Sequence, residues 1–86
     1  MLLGRMASNS VDVVTLFKDA VYATDGRTLD NLTLDTRIAQ LAMDSVVVME
    51  TIGLLEEQLS IRITEEEIAT LKTLRDLDSV IASRRR

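Results

Sequence analysis

The chain has 86 residues, 47% of them hydrophobic and 28% charged, and contains no cysteine, histidine, proline or tryptophan. That length allows one domain with a thin core, because a chain so short buries only about 60% of its unfolded surface. Lack of cysteine and histidine excludes a disulfide framework, a thiolate or imidazole metal site and a Ser-His-Asp triad. Chemistry is left to hydroxyls, carboxylates or a group attached later.

Ten Lys and Arg against 14 Asp and Glu give a net charge of −4. Between Asp44 and Asp78, nine acids face only Arg62, Lys72 and Arg75, a local balance of −6. Such a surface repels nucleic-acid phosphates and attracts basic partners. The opening MLLGRMASNS has no apolar run long enough for a signal peptide or a membrane span. The expectation is a cytoplasmic monomer with neither nucleic acid nor membrane among its partners. Arg84 to Arg86 form a short basic end, expected to be frayed and solvated.

In chain order, the periodicity predicts a first helix from about Ser10 to Ala23. Val13, Leu16, Phe17, Ala20 and Val21 form its apolar face, Ser8 or Ser10 its cap, and Asp25-Gly26 its end. A long loop from Thr24 to about Met43 follows, rich in Thr, Asp and Asn. Leu29, Leu32, Leu34, Ile38 and Leu41 are its apolar pegs, and residues 37–41 add a short helical turn. Loops of this length are uncommon and usually functional.

A second helix runs from Asp44-Ser45 to about Leu59, with Asp44 as N-cap. Val48, Ile52, Leu55 and Leu59 form its core face, while Val46, Met49 and Gly53 form a second stripe. The excess apolar surface fits either the central helix of a bundle or a partner and ligand surface. A short third helix opens at the capping box Thr64-Glu65-Glu66-Glu67, followed by Ile68 and Leu71. A fourth begins at Thr73, with Asp76 three residues on and Leu74, Leu77, Val80 and Ile81 as its apolar face. The expected fold class is all-α: three main helices, one short helix and a long first loop.

Asp44-Ser45-Val46 carries the most chemistry. A serine in the first turn of a helix lies where free N–H groups and the positive end of the dipole favour an anion, so a phosphodiester is comfortable there. On pattern alone the pair is more often only a helix cap. The same tripeptide recurs at Asp78-Ser79-Val80. There it falls inside the fourth helix, where the N–H groups already have carbonyl partners, and no long loop precedes it.

From Leu32 to Ile63 the chain reads LTLDTRIAQLAMDSVVVMETIGLLEEQLSIRI. This resembles the acyl carrier proteins. Leu41 matches the family's loop leucine and Asp44-Ser45 its attachment motif. Glu50 and Leu55-Glu56-Glu57 match its second helix, Leu59, Ile61 and Ile63 the exit from that helix, and residues 73–77 the start of its last helix. The resemblance spans about residues 10 to 82. It implies one carrier domain over residues 1–86, with a core of about 10–82 and flexible ends at 1–8 and 83–86. It also implies a 4′-phosphopantetheine arm on Ser45, attached by a phosphopantetheinyl transferase using magnesium, with no resident metal and no catalysis by the domain itself. The arm's thiol would carry acyl groups as thioesters between enzymes of fatty-acid or polyketide synthesis: acyl transferases, ketosynthases or ligases with basic docking surfaces. Val46, Val47, Met49, Glu50, Gly53, Glu56 and Glu57 are the implied partner-binding residues.

Three departures from the family pattern matter. Ala42 replaces the common glycine, so the backbone there is expected to avoid a left-handed conformation. Val46 replaces the usual leucine. Val47 stands where fatty-acid carriers have an acid, while Met49-Glu50-Thr51 looks more like discrete polyketide carriers. A thiolation domain of peptide synthesis and an unmodified helical interaction module are the competing readings. Gly53, costly inside a helix, is expected to admit either the close approach of a partner or the arm, or tight packing of another helix.

Overall fold

Apolar side chains recurring every three to four residues draw out four α-helices, and the computed structural model describes them over residues 12–84. They are α1 (Val13–Asp25), α2 (Ser45–Leu59), α3 (Glu65–Thr70) and α4 (Leu74–Arg84), with a 3-10 turn at Ile38–Leu41. No strand occurs among the described residues, and one isolated antiparallel bridge joins Arg37 to Thr73.

Asp12 caps α1. Its carboxylate accepts from the Thr15 amide at 3.2 Å and the Thr15 hydroxyl at 2.6 Å. The serines expected to cap this helix, Ser8 and Ser10, lie outside the described residues; Asp12 takes the role because it directly precedes the first core residue, Val13. Gly26 ends the helix in the left-handed conformation at φ 71°, its amide donating to the Tyr22 carbonyl. Val13, Phe17, Ala20 and Val21 are buried, and Leu16 is half-buried.

α1 packs most extensively on α2 and to a lesser degree on α4. On α2 the fully buried residues are Thr51, Ile52 and Leu55, whereas Val48 and Leu59, expected on the core face, are half-buried. The buried face is turned toward Thr51 because Thr24 of α1 meets it there. The Thr24 hydroxyl lies 2.9 Å from the Ala20 carbonyl and 3.1 Å from the Thr51 hydroxyl. With the Thr24 proton directed at Ala20, Thr51 is the donor of the pair, and its buried oxygen is satisfied.

Leu29 and Ile38 peg the long loop into the core, with Leu32, Leu34 and Leu41 half-buried beside them. Backbone bonds fix the loop to the α3–α4 connection and to the first residues of α4: Ile38 N to Lys72 O at 2.9 Å, Leu74 N to Thr36 O at 3.2 Å, and Arg75 N to Leu34 O at 2.7 Å. α3 begins with the reciprocal Thr64–Glu67 capping box that the sequence predicts. At the start of α4 the Thr73 amide donates to Asp76 and the Asp76 amide to the Thr73 hydroxyl. Leu74, Leu77 and Ile81 bury its inner face. Ser83 and Arg84, expected in a flexible end, belong to α4, because Arg84 is bonded to Arg62 and Glu67.

Candidate functional site

The loop ends in an abrupt change of direction that places Ser45 at the first position of α2. Ile38–Leu41 closes as a 3-10 turn, and Ala42 follows in the left-handed conformation at φ 54°, ψ 44°. This corrects the expectation that alanine at this position keeps the backbone out of that region. The turn needs a positive φ whatever residue occupies it, and the alanine Cβ makes the conformation cost about 1–2 kcal/mol. Arg27 Nη1 approaches the Ala42 carbonyl at 3.5 Å, the outer limit of a hydrogen bond.

Asp44 occupies the N-cap position in an extended conformation, but its side chain makes no capping hydrogen bond, contrary to the expected role. Its backbone carbonyl accepts the first helical bond, from Val48 at 3.0 Å. The carboxylate and the Ser45 side chain both belong to exposed residues. The first turn of α2 therefore has no side-chain cap, so amides at its positive end remain available to an anion attached at Ser45. Ser79 is exposed as well, but sits in the middle of α4 with no loop end or helix start beside it.

A groove of about 390 Å³ opens next to Ser45. Its walls come from the 3-10 turn (Ile38, Ala39), from Met43, from α2 (Val48, Met49) and from α3 (Glu65, Ile68, Ala69). One loop peg, Ile38, thus also belongs to the wall of a surface cavity, a double role that its spacing in sequence does not reveal. Met49 borders a second, neighbouring depression with Glu56, Arg62, Ile63 and Thr64.

The structure divides the expected second stripe of α2. Met49 borders the Ser45 groove, whereas Gly53 lines a different depression with Ala23, Thr24, Glu50, Leu54 and Glu57. A Cβ built on Gly53 meets nothing within 4 Å, which removes tight helix packing as the reason for the glycine. Val46 is 64% exposed and Val47 half-buried. Glu50 and Glu57 are exposed. Glu56 does not join them as a free surface charge: its carboxylate accepts from the Ile63 amide at 2.6 Å and ties the α2–α3 connection. Ser60, at φ 57°, makes the left-handed turn out of α2 that this bond secures. Among the described residues no group of three or more carboxylates comes together as a metal site.

Compared with known proteins, residues 11–79 match the family model described as phosphopantetheine attachment site. The chain belongs to that family: it is a carrier domain for a covalent 4′-phosphopantetheine, not itself catalytic. A search of curated proteins gives no match. Among solved structures it is similar to an acyl carrier protein from Thermotoga maritima, with a TM-score of 0.76 and 21% identity over 84% of this chain and 85% of that one. It is also similar to the acetyl actinorhodin acyl carrier protein from Streptomyces coelicolor, with a TM-score of 0.64 and 27% identity over 85% of each chain. The fold is that of the acyl carrier proteins.

Proposed function

We propose that Ser45 Oγ bears the phosphopantetheine arm and that the domain delivers short acyl intermediates between enzymes of polyketide or fatty-acid synthesis. One observation carries the assignment of the residue: Ser45 is an exposed hydroxyl in an uncapped first helical turn at the mouth of an apolar groove. The arm fits these surroundings, since the phosphodiester gains from the positive end of α2 and no side chain competes for the first-turn amides. Attachment exchanges a P–O bond of coenzyme A for one to Ser45 Oγ, releasing adenosine 3′,5′-bisphosphate, with the hydroxyl proton leaving to base. When bound, the arm supplies the thiol that this cysteine-free chain lacks and holds an acyl group as a thioester.

The chain's own residues do the rest. Asp44 presents a carboxylate beside the attachment atom, where a transferase can engage it. Ile38, Met43, Val48, Met49 and Ile68 offer apolar surface to a short acyl chain. Val46 and Met49 are exposed apolar contacts for a partner, while Glu50 and Glu57 supply charge for steering a basic one. The likeness to the actinorhodin carrier, together with Met49-Glu50-Thr51, favours a polyketide role over a housekeeping one. Incubation with coenzyme A and a broad transferase should add one phosphopantetheine to the intact mass. Ser45→Ala should abolish the addition and Ser79→Ala should not. Loss in Ser79→Ala alone would reverse the choice between the two Asp-Ser-Val copies.

A further inference from the structure

α3 is the wall of the Ser45 groove with the least apolar burial. None of its six residues is fully buried, and Ile68 is only half-buried. Polar contacts from the last turn of α4 hold it instead. Arg84 Nε donates to the Arg62 carbonyl at 3.2 Å, Arg84 Nη1 to Ser83 Oγ at 2.9 Å, and Arg84 Nη2 to Glu67 Oε2. The other Glu67 oxygen accepts from the Thr64 amide at 3.0 Å and the Thr64 hydroxyl at 3.3 Å. One guanidinium thereby joins the chain just before α3 to the first turn of α3. From that turn and the next, Glu65, Ile68 and Ala69 line the groove.

We infer that Arg84 is a positioning residue: its clasp on Glu67 and on the Arg62 carbonyl holds α3 as the wall of the Ser45 groove and sets how well that groove shelters a short acyl group. The inference rests on the reading of Ser45 as the attachment residue. The Arg84 and Glu67 side chains are 33% and 30% exposed, so the pair is partly shielded yet reachable by water. An ion pair of this kind shifts a two-state balance by a factor of about five at most. That is enough to bias the wall between held and released, and too little to decide whether the domain folds.

Arg84→Gln removes the charge and keeps a helix-forming side chain; Arg84→Lys keeps the charge and loses the fork. In the unmodified protein, amide hydrogen exchange at Ile68 and Leu71 should rise about three- to fivefold in Arg84→Gln and less in Arg84→Lys, with Ile52 and Leu77 unchanged. In loaded protein, hydroxylamine cleavage of a butyryl thioester relative to an acetyl thioester should rise by a similar factor in Arg84→Gln. Unchanged exchange in α3, a rise shared by all four helices, or an unaltered butyryl-to-acetyl ratio would each overturn the inference. Failure of the wild-type chain to load on Ser45 would overturn the attachment reading instead, leaving the exchange measurement to decide the clasp.

Discussion

Ala42 and Gly53 occupy positions whose backbones would each suit the other residue. Ala42 sits at φ 54° with a Cβ the left-handed region disfavours, while Gly53 lies inside α2 with open space where a Cβ would be. Ala42→Gly should relieve strain worth about 1–2 kcal/mol, offset in part by the entropy a glycine gains when unfolded. Gly53→Ala should gain up to about 1 kcal/mol from helix propensity. Thermal unfolding of the two variants should show higher midpoints for both; a fall in Ala42→Gly would mean that the turn does not need its positive φ. With those outcomes stability would not be what retains Gly53, whose bare backbone lines a surface depression with Glu50 and Glu57. The helix start at Asp44-Ser45 was legible in the sequence because a motif at a helix start leaves a local signal. Thr51 was not: its burial depends on a hydroxyl 27 residues away in Thr24, and threonine inside a helix carries no sign of that partner.

Among the helices, α2 combines structural and exposed acids that the sequence presents as one run. Glu56 accepts a backbone hydrogen bond at 2.6 Å in a half-buried setting, whereas Glu50 and Glu57 reach solvent. Glu56→Ala should cost about 1.5–3 kcal/mol, the range for a bond to a charged acceptor. Glu50→Lys with Glu57→Lys should leave stability within about 0.5 kcal/mol. The same pair should slow acyl transfer by a basic partner at low salt, an effect that added salt erases. Chemical denaturation and transfer kinetics separate the two classes, and equal stability losses in both would contradict the division. The helix starts also predict a pH response. The Thr15 hydroxyl lowers the Asp12 pKa, the Thr64 amide followed by Arg84 lowers that of Glu67, and the Lys72 and Thr73 amides lower that of Asp76. Groups with depressed folded values contribute stability above their unfolded pKa and lose it as pH falls through the folded one. Helicity followed by circular dichroism should hold at neutral pH and decline below about pH 4.5, the ordinary value for Glu67. A gain on acidification would contradict the caps. The Thr64 capping box and the core faces of α1 and α4 were legible because each is a local pattern. The Asp44 cap failed because its carboxylate stays in solvent and makes no bond to the first turn.

Across the whole molecule, the long first loop is ordered by contacts far away in sequence. Leu34, Thr36 and Ile38 bond to the chain around residues 72–75, fixing the 3-10 turn whose end aims α2. Loop pegs can be read from apolar spacing, but their backbone partners cannot, and neither can the groove that Ile38 and Ala39 share with α2 and α3. If this arrangement selects Ser45 over its sequence twin Ser79, the position of the modification shows it. Trypsin cleavage after Arg37, Arg62, Arg75 and Arg84 separates the two candidates into peptides 38–62 and 76–84. Peptide mass spectrometry of the transferase-treated protein should find phosphopantetheine on peptide 38–62, localised by fragmentation to Ser45, with peptide 76–84 unmodified. Phosphopantetheine on peptide 76–84, or on Ser60 within peptide 38–62, would mean that the start of α2 is not the attachment site.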